Sequence, residues 1–237
     1  MKHHSQLIEA TLLKRPISFL MEVVLQSKKR IMLRCPNLGH MYGCDILGTQ
    51  AWFSAPSKGH CLPTLELLEV NGGELVGINP ENLKDLFIEA LQHKKIHELS
   101  NYTCKSIKNV GFSDPSSSIN LHNTNQEQCY VCLQHIIYCN EKLEGIFNLN
   151  DFTTNTHLDY LILRKKQGHR AILVFCVLHT GSKNLKVLES HNSTYTNKFK
   201  NALEHGVEIL AYKAAISTQE ITLANKLPIQ LQAIAKL

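Results

Sequence analysis

The run Ala171-Ile-Leu-Val-Phe-Cys-Val-Leu178 places eight apolar side chains in succession between Arg170 and His179. A strand with one wet face alternates apolar and polar residues. This run does not alternate, so it predicts a central strand covered on both faces. Such a strand needs a layer of chain above and below it, which points to an α/β arrangement. The flanking sequence agrees. A strand is expected over 129–138, a helix over 157–167, the buried strand over 171–178, a helix over 195–205 and a strand over 207–214. Gly168 and Gly206 fall where those helices stop. Alternation of this kind implies that part of the sheet is parallel.

Before Asn79 the pattern differs. Short β-prone runs at 17–25, 30–34, 50–54 and 64–70 are separated by turn chemistry at 27–29, 36–37, 57–59 and 71–73, which suits a small barrel. Asn79 then reads as a helix N-cap with Pro80 at the first helical position. Leu83, Leu86, Phe87, Ala90 and Leu91 repeat at helical spacing behind it. The expected organisation is a β-barrel domain over 1–79 and an α/β domain over 80–237. The segment 113–128, rich in Ser, Asn, Gln and Thr, reads as a loose loop or hairpin.

Charge is unevenly placed. Residues 1–61 hold eight basic and three acidic side chains, so this stretch alone accounts for the net charge of +5. A polyanionic partner is the sharper reading, because Lys and Arg near phosphates release counterions. A merely solvated basic face is the other. No apolar run approaches the roughly 18 residues needed to span a bilayer, and the N-terminus has no secretory pattern. A cytoplasmic protein with no membrane partner is expected, its eight cysteines reduced. Cys104, Cys132 and Cys176 sit among apolar or β-branched neighbours, as small buried hydrophobes do.

Three blocks carry a family resemblance. CPNLGHMYGC (35–44), GHRAILVFCVLHT (168–180) and GVEILAYKAAISTQEITL (206–223) resemble the bacterial sugar fermentation stimulation protein A (SfsA) family. Weaker agreement runs through 10–19, through LPTLEL (62–67) and through the helix beginning at Asn79. The resemblance implies an OB-like β-barrel followed by a restriction-endonuclease-like α/β domain of the PD-(D/E)xK type, with DNA binding as the family's usual description. It also implies two strands, one Arg-Ile-Asp-Phe-like and one Glu-Val-Lys-like, that supply the ligands and lysine of a nuclease site. In this chain the aspartate slot is Asn120, the glutamate slot Cys132 and the lysine slot Gln134, with Ser118 at the preceding arginine position.

Those replacements matter chemically. Mg²⁺ takes hard oxygen ligands in octahedral geometry, and the metal with its lysine neighbour activates water and stabilises charge on phosphate. An amide, a thiol and a second amide remove both the anion field and the cation. No catalytic residue and no cofactor is therefore expected. Asn148, Leu149 and Asn150 also follow Phe147 where the family has Pro-Asp-Ala, and Asn192 stands ahead of Tyr195 in place of an acid; Asp151 lies one residue from that register.

The reading is a nucleic-acid-binding protein of low sequence specificity, with DNA the expected partner and regulation an expected role. Contacts fall to backbone phosphate from Lys14, Arg15, Lys28, Lys29, Arg30 and Arg34, with Trp52, Phe53 and Tyr42 as stacking candidates. Three rivals stand beside it. A divalent-metal nuclease would need relocated acids such as Asp114, Glu127 or Asp151. A protein-interaction barrel would use its charge only for solubility. Zinc would need Cys129, Cys132, His135 and Cys139 together, but strand alternation turns Cys129 and His135 one way and Cys132 the other. Asn37, Gly39 and His40 either line a surface between domains or set the conformation of the 35–44 loop. His169 and His179 flank the buried strand, where a capping or core-edge role stands beside acid/base work. No phosphate loop, dinucleotide fingerprint or serine elbow is present.

Overall fold

The computed structural model describes residues 1–3, 5–39, 41, 43–56, 61–70, 72–109, 117–149, 156–189 and 194–233. His40, Tyr42, Asp114, Asn150, Asp151 and Asn192 lie outside the described residues.

Strand β1 (Ile8–Ile17) pairs antiparallel with both β2 (Leu20–Val24) and β4 (Gln50–Ser54). Two irregularities, between Leu12 and Lys14 and between Lys14 and Ile17, bend it so that one strand serves both neighbours. β2 continues to β3 (Arg30–Arg34), β4 pairs with β5 (Thr64–Val70), and β3 meets β5 in parallel at Arg34 and Thr64. The order β1-β2-β3-β5-β4 thus returns to β1 and closes a five-stranded OB-like barrel. Ala10, Leu12, Met21, Val23, Leu33, Ala51, Phe53 and Leu65 alternate inward to fill it. Strands 30–34, 50–54 and 64–70 lie where the sequence predicts them. The expected run at 17–25 is instead the end of β1, a turn at Ser18 and Phe19, and β2. Lys14, Arg15 and Pro16 break the apolar alternation of β1, and the bulges absorb that irregularity.

β6 (Glu74–Gly77) pairs with β5 and carries the chain out of the barrel. The Gly77 N–H donates to the Leu178 carbonyl at 2.9 Å and the Thr180 N–H to the Leu75 carbonyl at 3.0 Å, which stitches the barrel to the second layer. Asn79 caps as expected, accepting from the Glu81 N–H at 3.0 Å; a 3-10 turn (Pro80–Asn82) precedes α1 (Leu83–Gln92). Buried Glu66 of β5 accepts from Ser54, Asn79 and Asn82, so a barrel carboxylate anchors the helix start.

The larger sheet contains β7 (Tyr102–Asn109), β8 (Ser117–Asn123), β9 (Gln128–Ile136), β11 (Arg170–Val177), β13 (Glu208–Ile216) and β14 (Ile221–Lys226), in the order β14-β13-β11-β9-β8-β7. β9, β11 and β13 are parallel and the outer pairings antiparallel. α2 (Thr156–Lys166) and α3 (Thr194–Glu204) are the crossovers. β10 (Glu144–Asn148), β12 (Asn184–Glu189) and β15 (Ile229–Ala233) form a small parallel sheet that the sequence did not announce. β11 is central and covered on both faces: Ile172, Val174 and Cys176 pack towards α1, while Leu173, Phe175 and Val177 pack towards α2 and α3. None of the eight cysteines is in a disulfide; Cys104, expected to be buried, is exposed on the edge strand β7. No described helix is long and apolar enough to cross a membrane.

Candidate nucleic-acid interface and the nuclease-like face

The β8–β9 register pairs Ser118 with Cys132, Asn120 with Tyr130 and His122 with Gln128. Side chains alternate across a strand, so these six and Gln134 face α2, while Ile119, Leu121, Cys129, Val131 and Leu133 face α1. Asn120, Cys132 and Gln134 therefore share one face of the sheet. Cys132 is fully buried in the core with Phe147, Leu158 and Phe175. Gln134 is half-buried and its amide makes only a long 3.5 Å contact to the His135 carbonyl. Asn120 Oδ1 is buried without a hydrogen-bond partner. Two amides and a thiol do not fit the hard, anionic oxygen set that a divalent nuclease metal takes. Among the described residues no group of three or more His, Cys, Asp or Glu gathers as a metal site.

A cationic and aromatic cluster occupies the same face. Ser118 Oγ donates to the Tyr160 hydroxyl at 3.0 Å. The Arg164 guanidinium carbon lies 4.7 Å from the ring centroids of both Tyr130 and Tyr160, which meet edge to face at 6.0 Å. His169 stands 5.4 Å from Tyr130. The sequence reading did not single out Tyr160 or Arg164; their spacing of four along α2 was the available signal. Of the three acids that a relocated metal site would need, Glu127 is among the described residues. It belongs to the β8–β9 turn, where Asn123 Nδ2 donates to it at 2.7 Å; Asp114 and Asp151 are outside the described residues.

The zinc set does not converge. Cys129 and Cys132 point to opposite faces of β9, and burial pushes the Cys129 thiol up to about 12. His135 Nε2 is engaged by the Gly77 carbonyl at 2.9 Å, at the seam with the barrel, and burial pushes its pKa down to about 4. Cys139 lies beyond the end of β9.

On the barrel, Lys28 and Lys29 sit exposed at the β2–β3 turn, with Lys28 at a φ of 64°. Arg30 is 70% exposed, 3.8 Å from Glu22, and Lys14 is 62% exposed, 3.0 Å from the same carboxylate. Arg15 and Arg34 are differently occupied. Arg15 donates to the carbonyls of Ser18, Asn37 and Gly39 and pairs with Asp45 at 3.4 Å, clamping the β1–β2 turn to the 35–49 loop. Arg34 makes a bidentate pair with Glu81 at 2.7 and 2.9 Å, which holds the Glu81 carboxyl below the usual carboxylate range. Trp52 is half-buried, and Phe53 is inside the barrel.

The Gly39 N–H donates to Asn37 Oδ1 at 3.0 Å, a conformational role for these two loop residues. Farther along the loop, Gly43, Cys44 and Ile46 line a cleft of about 310 Å³ with Tyr138, Cys139 and His179. His179 is buried there, accepts from the Gly181 N–H at 3.1 Å, and has its pKa pushed down by burial.

Residues 82–220 match the model of the sugar fermentation stimulation protein RE domain. A sugar fermentation stimulation protein homolog of Pseudoalteromonas atlantica is 34% identical over 96% of this chain and 99% of its own length. One from Saccharophagus degradans is 32% identical over 97% and 100%. The fold superposes on SfsA of Pyrococcus furiosus, solved in complex with Ca²⁺, with a TM-score of 0.79 and 18% identity over 97% of this chain and 98% of that one. With the OB-like barrel and the α/β domain both in place, the chain belongs to the sugar fermentation stimulation protein (SfsA) family.

Proposed function

We propose that this protein binds nucleic acid, DNA foremost, through backbone phosphates and does not cut it. The observation that carries this reading is the face on which Asn120, Cys132 and Gln134 come together, with no carboxylate among them and Cys132 sealed in the core. Loss of the acids removes the charge that would hold a metal and also removes its repulsion of phosphate. The four solvent-facing cations Lys14, Lys28, Lys29 and Arg30 support the binding half, since contacts to phosphate give affinity with little sequence preference. The barrel unit ends at Asn79 in this reading, the α/β unit begins at Pro80, and the protein works in the cytoplasm, consistent with cysteines that form no disulfide.

The test incubates purified protein with labelled duplex and single-stranded DNA at low salt, with and without Mg²⁺ or Mn²⁺. Binding without hydrolysis, unchanged by EDTA, is expected. Metal-dependent cleavage lost on altering Asn120 or Cys132 would overturn the reading.

A second reading has one observation in its favour. Ile17, Phe19, Leu38, Ile46 and Leu47 are 45–66% exposed on the two segments that Arg15 clamps together, as a protein-binding surface would be. Failure to shift any oligonucleotide at low salt would favour it.

A further inference from the structure

Trp52 is the one tryptophan of the chain, and its ring lies outside the barrel core. Along β4 the side chains of Ala51 and Phe53 turn inward, so Gln50, Trp52 and Ser54 line the outer face. In register Trp52 stands between Leu67 of β5, which is buried, and Glu9 of β1, which is exposed. Cross-strand partners touch, so one side of the ring is held by packing and the other is open.

A groove of about 520 Å³ opens at that ring. Its walls are Glu9 and Trp52 of the barrel, Lys2 and Gln6 of the N-terminal segment, and Thr218 and Gln219 of the turn between β13 and β14. That far wall is rigid. The His3 N–H donates to the Gln219 carbonyl at 3.3 Å, and His3 Nε2 is engaged by the Ser217 carbonyl at 3.1 Å. The Ser217 hydroxyl accepts from the Gln219 and Glu220 N–H groups at 3.2 and 3.0 Å, which fixes the turn. An aromatic face beside two carboxamides and a hydroxyl suits a flat heteroaromatic ring with donors and acceptors on its rim. A carboxylate only accepts, so Glu9 favours an exocyclic amine over a phosphate.

The same face of the sheet leads to the basic turn. Thr11 of β1 stands opposite both Gln50 of β4 and Val24 of β2, and Val24 stands opposite Arg30 of β3. Trp52 is two residues from Gln50, so it shares that face with Arg30. Three strand spacings of about 4.8 Å and two residues along β4 separate them by roughly 16 Å. A short stretch of one nucleic-acid strand spans this, well within the roughly 4–16 nucleotides that one OB barrel covers.

We propose that this groove seats one unpaired nucleobase of a single strand, stacked on Trp52, with the backbone crossing β1 and β2 to Lys28, Lys29 and Arg30. The seat rests on the nucleic-acid reading above and gives it a preference for unpaired bases. Gln6 and Gln219 meet the rim of the base, and the exposed Lys2 meets the phosphate beside it. A paired base keeps its faces inside the helical stack, so a duplex engages the cations but not the ring.

As the sole tryptophan, Trp52 reports the stack through the intrinsic emission of the full chain. The experiment titrates full-length protein with a labelled single-stranded oligonucleotide and with the matching duplex, reading anisotropy and tryptophan emission together. The single strand is expected to quench the emission over the same concentrations that raise its anisotropy, and the duplex to raise anisotropy without quenching. Trp52→Ala should weaken the single strand about tenfold or more relative to the duplex, and Trp52→Phe should fall between, with melting curves as the control for folding. Anisotropy that rises on the single strand with unchanged emission overturns the seat and leaves phosphate binding standing. Equal quenching by the duplex, or a ratio of single-strand to duplex affinity that Trp52→Ala does not move, overturns it as well. No anisotropy change with either oligonucleotide overturns the seat and the nucleic-acid reading together.

Discussion

Replacing Lys28, Lys29 and Arg30 together by glutamine tests how the barrel engages a polyanion. The structure leaves four of the six predicted cations facing solvent and commits Arg15 and Arg34 to Asp45, loop carbonyls and Glu81. Four phosphate contacts on a duplex give a slope of about −3.6 in log affinity against log salt, at roughly 0.9 per phosphate. From the barrel, affinity should then fall roughly 150-fold between 50 and 200 mM salt. The triple variant keeps Lys14 alone, so its slope should shrink to about −0.9 and its loss to about 3.5-fold over the same range. All three residues are exposed at one turn, so the melting temperature should not move appreciably. Anisotropy titrations of a labelled duplex at several salt concentrations read both slopes. A triple variant with the parent's slope would refute the assignment of these cations to phosphate.

Two predictions concern the scaffold. Phe175→Ala empties a fully buried site against Phe147, 4.9 Å away, and should cost about 3–5 kcal/mol in urea unfolding; a loss under about 1 kcal/mol would contradict the two-sided burial of β11. His135, pushed from 6.5 to about 4 by burial, stays neutral in the fold while its unfolded counterpart protonates. Its contribution is therefore present above about pH 6.5 and drains away as pH falls towards 4, and His135→Gln should flatten the melting temperature across that window.

Much of the scaffold is legible in the chain. The eight-residue apolar run could only be a strand covered twice, and the barrel strands at 30–34, 50–54 and 64–70 are bounded by their turn residues. Asn79 and Pro80 announce their helix through capping chemistry. Short strands fare worse: β12, six residues long with Leu185 and Val187 buried, is too short to stand out until β10 and β15 flank it. The assignment of Asn120, Cys132 and Gln134 to nuclease slots rests on the family resemblance, and the two-residue period of β9 puts Cys132 and Gln134 on one face.

The sequence by itself determined which side chains carry charge and which strand lies deepest. Only the tertiary structure decided which of those charges remain available. Arg15 meets Asp45 thirty residues away, Arg34 meets Glu81 forty-seven away, and Ser118 meets Tyr160 forty-two away. A guanidinium's charge is fixed by its chemistry, but whether it can receive a phosphate depends on the acceptors that folding brings within hydrogen-bond reach.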